Sequence, residues 1–287
     1  MFAYIVCISV YFNLTSIPYL FCLDFQSART LSLAQGGRGG ALLNDTITLN
    51  PSLLGFQNIA SLSGTMNWLN SPSGPSPQAH KNFNVSVVDG KNEYVAAGVS
   101  FTRKPSLDVF HGSLAKKVAQ WFSVGVSVKR FSTKSNSDAA AGKSKTGFDG
   151  GASFSIVSPP EVSSIPIQIG FTSDNLLNKI SHEPFLGPRQ IGAGTKININ
   201  QLLLLYGDVL GHFPISAKAY PLFTLGSEFA LGNDFFARGG LLGFKKEKGW
   251  GTGVGWVGPK IALNYGFQRK TYPQTHFQHA LTLDLYM

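Results

Sequence analysis

The sequence predicts an all-β protein, a transmembrane antiparallel β-barrel, and three observations lead there. Apolar side chains alternate with Ser, Thr, Gly or Asn: Leu62, Gly64, Met66 and Trp68 stand against Ser61, Ser63, Thr65 and Asn67, and Phe122, Val124, Val126 and Val128 against Ser123, Gly125, Ser127 and Lys129. Near the end, Ile261, Leu263, Tyr265 and Phe267 oppose Ala262, Asn264, Gly266 and Gln268, and Leu281, Leu283 and Leu285 oppose Thr282, Asp284 and Tyr286. Successive strand side chains point to opposite faces, so each stretch has one oily and one mildly polar face. Charged residues are only 14% of the chain and gather in turns such as Lys245, Lys246, Glu247 and Lys248, whereas the outer face of a soluble sandwich carries many charges. Past the N-terminus no apolar run approaches the about 20 residues of a membrane helix, the longest being Leu202 to Tyr206. A membrane protein without such runs satisfies its backbone only as a closed barrel, oily outside and small and polar inside.

From the N-terminus, the apolar stretch Phe2 to Phe25, followed by Gln26, Ser27 and Ala28, reads as an export signal, residues 1–28, although no Lys or Arg precedes its core. Residues 29–57 are mixed and Gly-rich. The barrel occupies 58–287, with strand candidates at Ile59 to Asn70, Asn82 to Asp89, Tyr94 to Arg103, Ala119 to Phe131, Gly147 to Val157, Ile165 to Ser173 and Gln190 to Ile199. They continue at Gln201 to Leu210, Pro221 to Leu231, Phe235 to Lys245, Trp250 to Val257, Lys260 to Arg269 and Phe277 to Met287. Each is close to the roughly 9 to 11 residues a tilted membrane strand needs. Thirteen candidates are an odd number, whereas bacterial barrels have an even one. One strand is therefore missing or one is superfluous; Ser113 to Gln120 reads as a helical turn. Asp89-Gly90-Lys91-Asn92 and Gly232-Asn233-Asp234 are tight-turn material, while Ser71 to Pro77, Ser132 to Thr146 and Thr172 to Pro188 are loops. Trp68, Tyr94, Trp121, Trp250, Trp256, Tyr265 and Tyr286, at strand ends, are candidates for aromatic girdles.

Both cysteines, Cys7 and Cys22, precede Ala28, which removes disulfide and thiolate-metal readings from the rest of the chain. The net charge is +9, and becomes 24 − 14 = +10 without the segment before Arg29, which holds one acid and no base. The cations sit at strand ends and loops, where long side chains reach the interface; they are available to lipopolysaccharide phosphates or an acidic partner. Nothing gathers them on one face with interleaved aromatics, as nucleic-acid binding needs.

The stretch Ala28-Arg29-Thr30-Leu31-Ser32-Leu33-Ala34-Gln35-Gly36-Gly37, then Gly40-Ala41, Asn44-Asp45 and Leu49-Asn50-Pro51-Ser52-Leu53-Leu54-Gly55, resembles a known signature. It is similar to the N-terminal segment of the outer-membrane barrels related to the long-chain fatty-acid transporter (FadL-like) and the type IX secretion shuttle (PorV-like). In that group a Gly-Ala-Arg-x-Leu-x-Met-Gly-Gly-Ala opening leads through an acidic residue to Asn-Pro-Ala-Gly-Leu. Arg29, Leu31, Gly36, Gly37, Asp45, Asn50 and Pro51 match; Gln35, the extra Arg38-Gly39, and Ser52 with Leu54 depart. Phe122 to Lys129, Gly147 to Gly151, Ile167 to Phe171 and Leu225 to Phe229 with Phe236 to Gly240 continue the likeness. The resemblance implies a bacterial outer-membrane barrel of 14 strands with the N-terminal segment folded into the lumen as a hatch; the short chain holds the count at 12 to 14.

The residues also support a hatch. Gly36, Gly37, Gly39 and Gly40 permit positive φ, Asn50 before Pro51 is pushed out of the helical region, and small lumen side chains leave room for an insert. Arg29, Gly36, Gly37, Asp45, Asn50 and Pro51 are the hatch candidates, for packing or gating. Asp149, Lys196 and Asp284 are candidates for the lumen face, the acids pairing with Lys196, Arg238, Arg29 or Arg38 and so fixing the hatch.

No enzyme, metal or cofactor chemistry is expected. His276 and His279 fall on opposite strand faces, His80, His111, His182 and His212 read as loop residues, and no Gly-x-Ser-x-Gly elbow or phosphate loop occurs. The resemblance then implies passage or binding of small hydrophobic molecules, which leave through the hatch or a lateral gap. Its alternative is a non-conducting barrel acting as partner or anchor in an envelope or secretion complex, loops such as Ser132 to Thr146 binding the other protein.

Overall fold

The computed structural model describes residues 25–40, 43–71, 78–92, 94–105, 107–133, 146–159, 165–177, 189–200, 202–213, 219–244, 247–272 and 275–287. The expected export signal as far as residue 24, most of the three long loops and His182 lie outside the described residues. Among those described, the strands are β1 (Ala60–Ser71), β2 (Gln78–Asp89), β3 (Ala96–Arg103), β4 (Leu107–Ala119), β5 (Phe122–Thr133), β6 (Thr146–Val157) and β7 (Ile167–Asp174). There follow β8 (Arg189–Ile199), β9 (Leu203–Phe213), β10 (Tyr220–Gly232), β11 (Phe235–Phe244), β12 (Glu247–Val257), β13 (Ile261–Tyr272) and β14 (His276–Tyr286). Each pairs antiparallel with its sequence neighbours, and β1 pairs with β14 from Ser61↔Tyr286 to Asn70↔Phe277, which closes a 14-stranded barrel. Closure leaves no strand edge unpaired, the condition for crossing hydrocarbon with strands.

The two faces sort as the alternation predicts. Val126, Leu263, Leu281 and Leu283 are 55%, 47%, 41% and 44% exposed, with Val124 beside them, while Ser123, Asn264 and Thr282 are buried against the lumen. Such a continuous apolar exterior is stable against lipid and costly in water.

The strand missing from the sequence reading is β4. Its Leu114-Ala115-Lys116-Lys117 run favours a helix by local propensity. Pairing overrides this: Ser113 lies between Gly98 of β3 and Ser127 of β5, His111 and Ala115 turn inward, and Phe110, Leu114 and Val118 face out. Likewise His80, His111 and His212, expected in loops, belong to β2, β4 and β9, because those strands run further than their apolar cores.

Both termini of the barrel, Ala60 and Tyr286, lie at one end, here the terminal end, where the connections are short. The β10–β11 hairpin turns on Asn233 (φ 48°) and Asp234 (φ 65°), the left-handed pair of a type I′ turn, which Asn and Asp tolerate. Tyr94, Trp121 and Trp256 are exposed at this end and Trp250 at the far end, whereas Tyr286 shares its strand parity with Asp284 and lines the lumen mouth.

Residues 25–40 and 43–57 fill the lumen rather than the wall. Ala28–Ser32 forms a short helix capped by Ser27, Thr46–Leu49 a second, and Pro51–Phe56 a 3-10 turn with Pro51 at its start. Leu31, Leu33, Ile47, Leu53 and Leu54 are buried, Ile47 and Leu54 against Val88, Ala96 and Ala115, and Leu31 with Ala28 against Ala280. The barrel's apolar core is therefore the hatch and the few lumen-facing apolar residues it touches.

Candidate functional site: an anchored hatch in the lumen

Glycines on the inner wall seat the hatch. A methyl on Gly125 would meet the Pro51–Ser52 backbone, on Gly170 the Arg38 carbonyl, on Gly240 the Leu33 backbone, on Gly251 the Leu31 carbonyl, and on Gly266 the Ala28 carbonyl, all within 3.0 Å. β12 presents Gly249, Gly251, Gly253 and Gly255 to the lumen, and the Ala28–Ser32 helix lies against this strand and β13. The Gly-x-Gly run visible in the sequence is thus a surface for close backbone approach.

Ion pairs hold one side. The Arg29 guanidinium donates to Glu228 Oε1 at 2.9 Å and to the Tyr206 hydroxyl at 3.3 Å. Glu228 also takes the Arg238 guanidinium, which donates through Nη1 to Asn264 at 2.8 Å; Asn264 in turn donates to Asp284 at 3.2 Å. Burial, the largest single influence, would depress Arg29, but Glu228, the Tyr206 hydroxyl and Asp45 together outweigh it and hold the guanidinium charged. Asp208 forms the second anchor: one carboxylate oxygen accepts the backbone N–H groups of Gly37 (2.8 Å) and Arg38 (2.9 Å) and lies 3.6 Å from the Arg38 guanidinium. Gly37 has φ 128°, which a side chain would not tolerate, and Ala34 and Gln35 before it are left-handed as well. The turn that delivers these two N–H groups to Asp208 is consequently strained.

Neutral hydrogen bonds tie the rest. Asn50, extended ahead of Pro51, donates to the Arg38 carbonyl (2.7 Å) and to Ser155 (3.0 Å) and accepts from the Ser52 hydroxyl (2.6 Å), so it joins the two halves of the hatch to β6. Asn44 donates to Ser86 and accepts from Ser61. Asp45 accepts from the Ser27 and Thr30 hydroxyls; burial pushes its carboxyl up to about 6, against the pull of those hydroxyls, with Asp284 adding to the rise and Arg29 opposing it. Next to Asp45 is a cavity of about 30 Å³ lined by Arg29, Asn44, Arg238, Asp284 and Tyr286, with room for water and not for an organic molecule.

Arg29, Gly37, Asn50 and Pro51 thus meet the wall directly and Gly36 packs beside Thr224, whereas Asp45 takes its hydrogen bonds from Ser27 and Thr30 and braces the hatch from within. Lys196, on the lumen face of β8, covers the space beside Gly40, and Asp284 faces the cavity. Asp149 faces inward but accepts from the backbone N–H groups of Gly150 (2.6 Å) and Leu177 (2.9 Å), not from the lumen cations expected for it. Asp208 and Tyr206 were absent from the sequence reading. Their signal was a lone acid two residues after Tyr206, the tyrosine that ends the longest apolar run past the N-terminus.

No family model matches the sequence, and no curated protein matches it. Solved structures do share the architecture. The Pseudomonas putida toluene transporter TodX superposes with a TM-score of 0.65 at 10% identity over 94% of this chain and 99% of that one. The Ralstonia pickettii toluene transporter TbuX gives 0.66 at 13% over 93% and 99%, and a Pseudomonas aeruginosa FadL homologue 0.64 at 12% over 93% and 99%. The chain therefore has the fold of these barrels, the one that the FadL-like resemblance of its N-terminal segment implies.

Proposed function

We propose that the protein is an integral barrel of the bacterial outer membrane that passes small, largely apolar molecules, with the segment from Arg29 to Phe56 as its gate. It acts as a conduit and not as an enzyme. The observation that carries this reading is how the lumen is closed. The occluding segment is not part of the wall; it is held by discrete polar anchors, Glu228 and Asp208 chief among them, over a seat of glycines. A plug attached through side-chain bonds can shift while the strand ladder stays intact, since the two sets of bonds share no member. Neighbours described as toluene transporters and a monoaromatic hydrocarbon channel agree in substrate class.

A second reading has its own support: the cavity beside Asp45 is small and rimmed by charged side chains, as in a barrel that stays shut and serves as partner or anchor in an envelope complex. Deleting Arg29 to Leu43 decides between them. A gated conduit gains uptake of a small apolar dye while the barrel still runs as a heat-modifiable band. Unchanged uptake, with loss of a co-purifying envelope protein when the loop at 134–145 is trimmed, overturns the transport reading.

A further inference from the structure

We infer that the lipid-facing wall of β12, β13, β14, β1 and β2 carries a binding site for a phosphorylated glycolipid of the outer leaflet, in which aromatic side chains hold the sugar and cations its phosphates. The leaflet follows from the proposed outer-membrane location, with the barrel's termini on the periplasmic side.

Cross-strand partners form two adjacent outward rows. Lys81, Trp68, His279 and Phe267 are directly opposite one another in turn, and so are Phe277, Arg269 and Trp250 one step nearer the far end. From β2 to β12 the patch crosses four strand spacings, roughly 19 Å, the scale of a disaccharide headgroup rather than of one acyl chain. Its rings form one cluster: Phe267 packs on Trp250 at 5.3 Å, on His279 at 5.0 Å and on Phe277 at 6.2 Å, and the Tyr265 hydroxyl shares a 2.7 Å hydrogen bond with His279 Nδ1. The Arg269 guanidinium carbon stands 5.5 Å from the Phe277 ring, and Lys81, Lys248 and Arg269 are exposed around the cluster. No Asp or Glu faces outward among the described residues of this patch.

An aromatic girdle alone asks only for rings at the interface. Here three cations of one sign rim the rings on the outward face, without a protein counter-charge among the described residues of the patch; the exposed Asp89 of β2 lies at the opposite, terminal end of the wall. By contrast Arg103, elsewhere on the far end, has Asp108 at 3.5 Å. Docking of a second copy through the same patch would set these cations against each other, a repulsion that disfavours self-association. Phosphate groups at headgroup height above acyl chains match both the charge and the oily surface below it.

The test uses the purified full chain in a neutral detergent, with lipid A bearing both phosphates and dephosphorylated lipid A as probes. Binding is read by native mass spectrometry and by the fluorescence of Trp68 and Trp250. Wild type should bind the phosphorylated probe at least tenfold more tightly than the dephosphorylated one. Lys81→Gln/Lys248→Gln/Arg269→Gln should lose at least tenfold, while Lys116→Gln, which changes an outward cation near the terminal end, should not. Heat modifiability on gels checks that the variant is folded, and the comparison of probes on wild type needs no variant. Equal affinity for the two probes, equal affinity of the triple variant, or a dimer that the triple variant dissolves would overturn the inference. Membrane fractionation tests the location separately, so failure of that reading is distinguishable from failure of the site.

Discussion

Replacing Asp208 should loosen the hatch and leave the barrel standing, by an amount the geometry sets. In Asp208→Asn the side-chain carbonyl still accepts from Gly37 and Arg38, but the charge opposite the Arg38 guanidinium is gone, and Arg38 keeps only the Gln35 carbonyl at 3.1 Å among the bonds described. Leaving one member of a buried pair costs about 3 to 5 kcal/mol. The 3.6 Å separation, longer than a hydrogen bond, points to the lower figure, so about 3 kcal/mol, or roughly 10²-fold in the ratio of seated to unseated hatch. Asp208→Ala should cost more, because it also orphans two buried N–H groups at about 1 to 3 kcal/mol each. Asp208→Asn/Arg38→Gln removes the uncompensated charge and should recover most of the loss. Amide exchange of residues 31–54 in detergent micelles reads the hatch, and unheated gel mobility reads the barrel. If Asp208→Asn leaves hatch exchange at the wild-type level, or Arg38→Gln fails to rescue it, the anchor does not act through charge and the reasoning is refuted.

Three further outcomes are expected. Since Asp45 rises from 3.8 to about 6 when seated, the seated state binds its proton more tightly; the hatch should be firmest below about pH 4 and loosen as pH rises through 6, and Asp45→Asn should abolish that dependence of amide exchange. Gly266→Ala or Gly240→Ala should unseat the hatch at a cost of about 1 to 3 kcal/mol, exposing it to protease, while Gly239→Ala, where nothing lies within 4 Å, should be silent. Arg at Val126, 55% exposed on the outer wall, should cost about 2 to 4 kcal/mol in urea-titrated folding into vesicles, and Arg at Ser127 much less; equal costs would contradict the assignment of faces.

The wall was legible because a period of two is a local property: once Val124 and Val126 are oily, Ser123 and Ser127 have only the lumen to face. β4 was not, because its inward face mixes Leu107, Val109, His111 and Ser113, and its Lys-rich end also suits a helix; only the ladders to β3 and β5 decide. The hatch could be placed inside from its glycines and its position before β1. Its partners could not, since Arg29 and Glu228 are 199 residues apart and nothing local to either names the other. Asp149 shows the same limit in reverse: its inward parity was readable, but it accepts from its own neighbour Gly150 and from Leu177, which folds over from the end of β7.

The lumen glycines and the ion pairs answer different needs. Glycine lets the hatch backbone approach the wall so closely that Leu31, Leu33, Ile47 and Leu54 are fully buried, but apolar contact is non-directional and would tolerate a slipped insert. Position comes from Asp208, which binds a turn that only Gly37 can make, and from Glu228, which must satisfy Arg29 and Arg238 together. Glu228 is the more heavily loaded of the two in charge, because removing it takes the carboxylate from two guanidinium groups, Arg29 and Arg238, whereas removing Asp208 takes it from Arg38 alone. An element that must stay shut would be safer with apolar contacts alone, and buried charges are costly unless paired. Concentrating the hold on two carboxylates makes seating depend on a few groups that a change in local charge or hydration can release together, which is the property a gate requires.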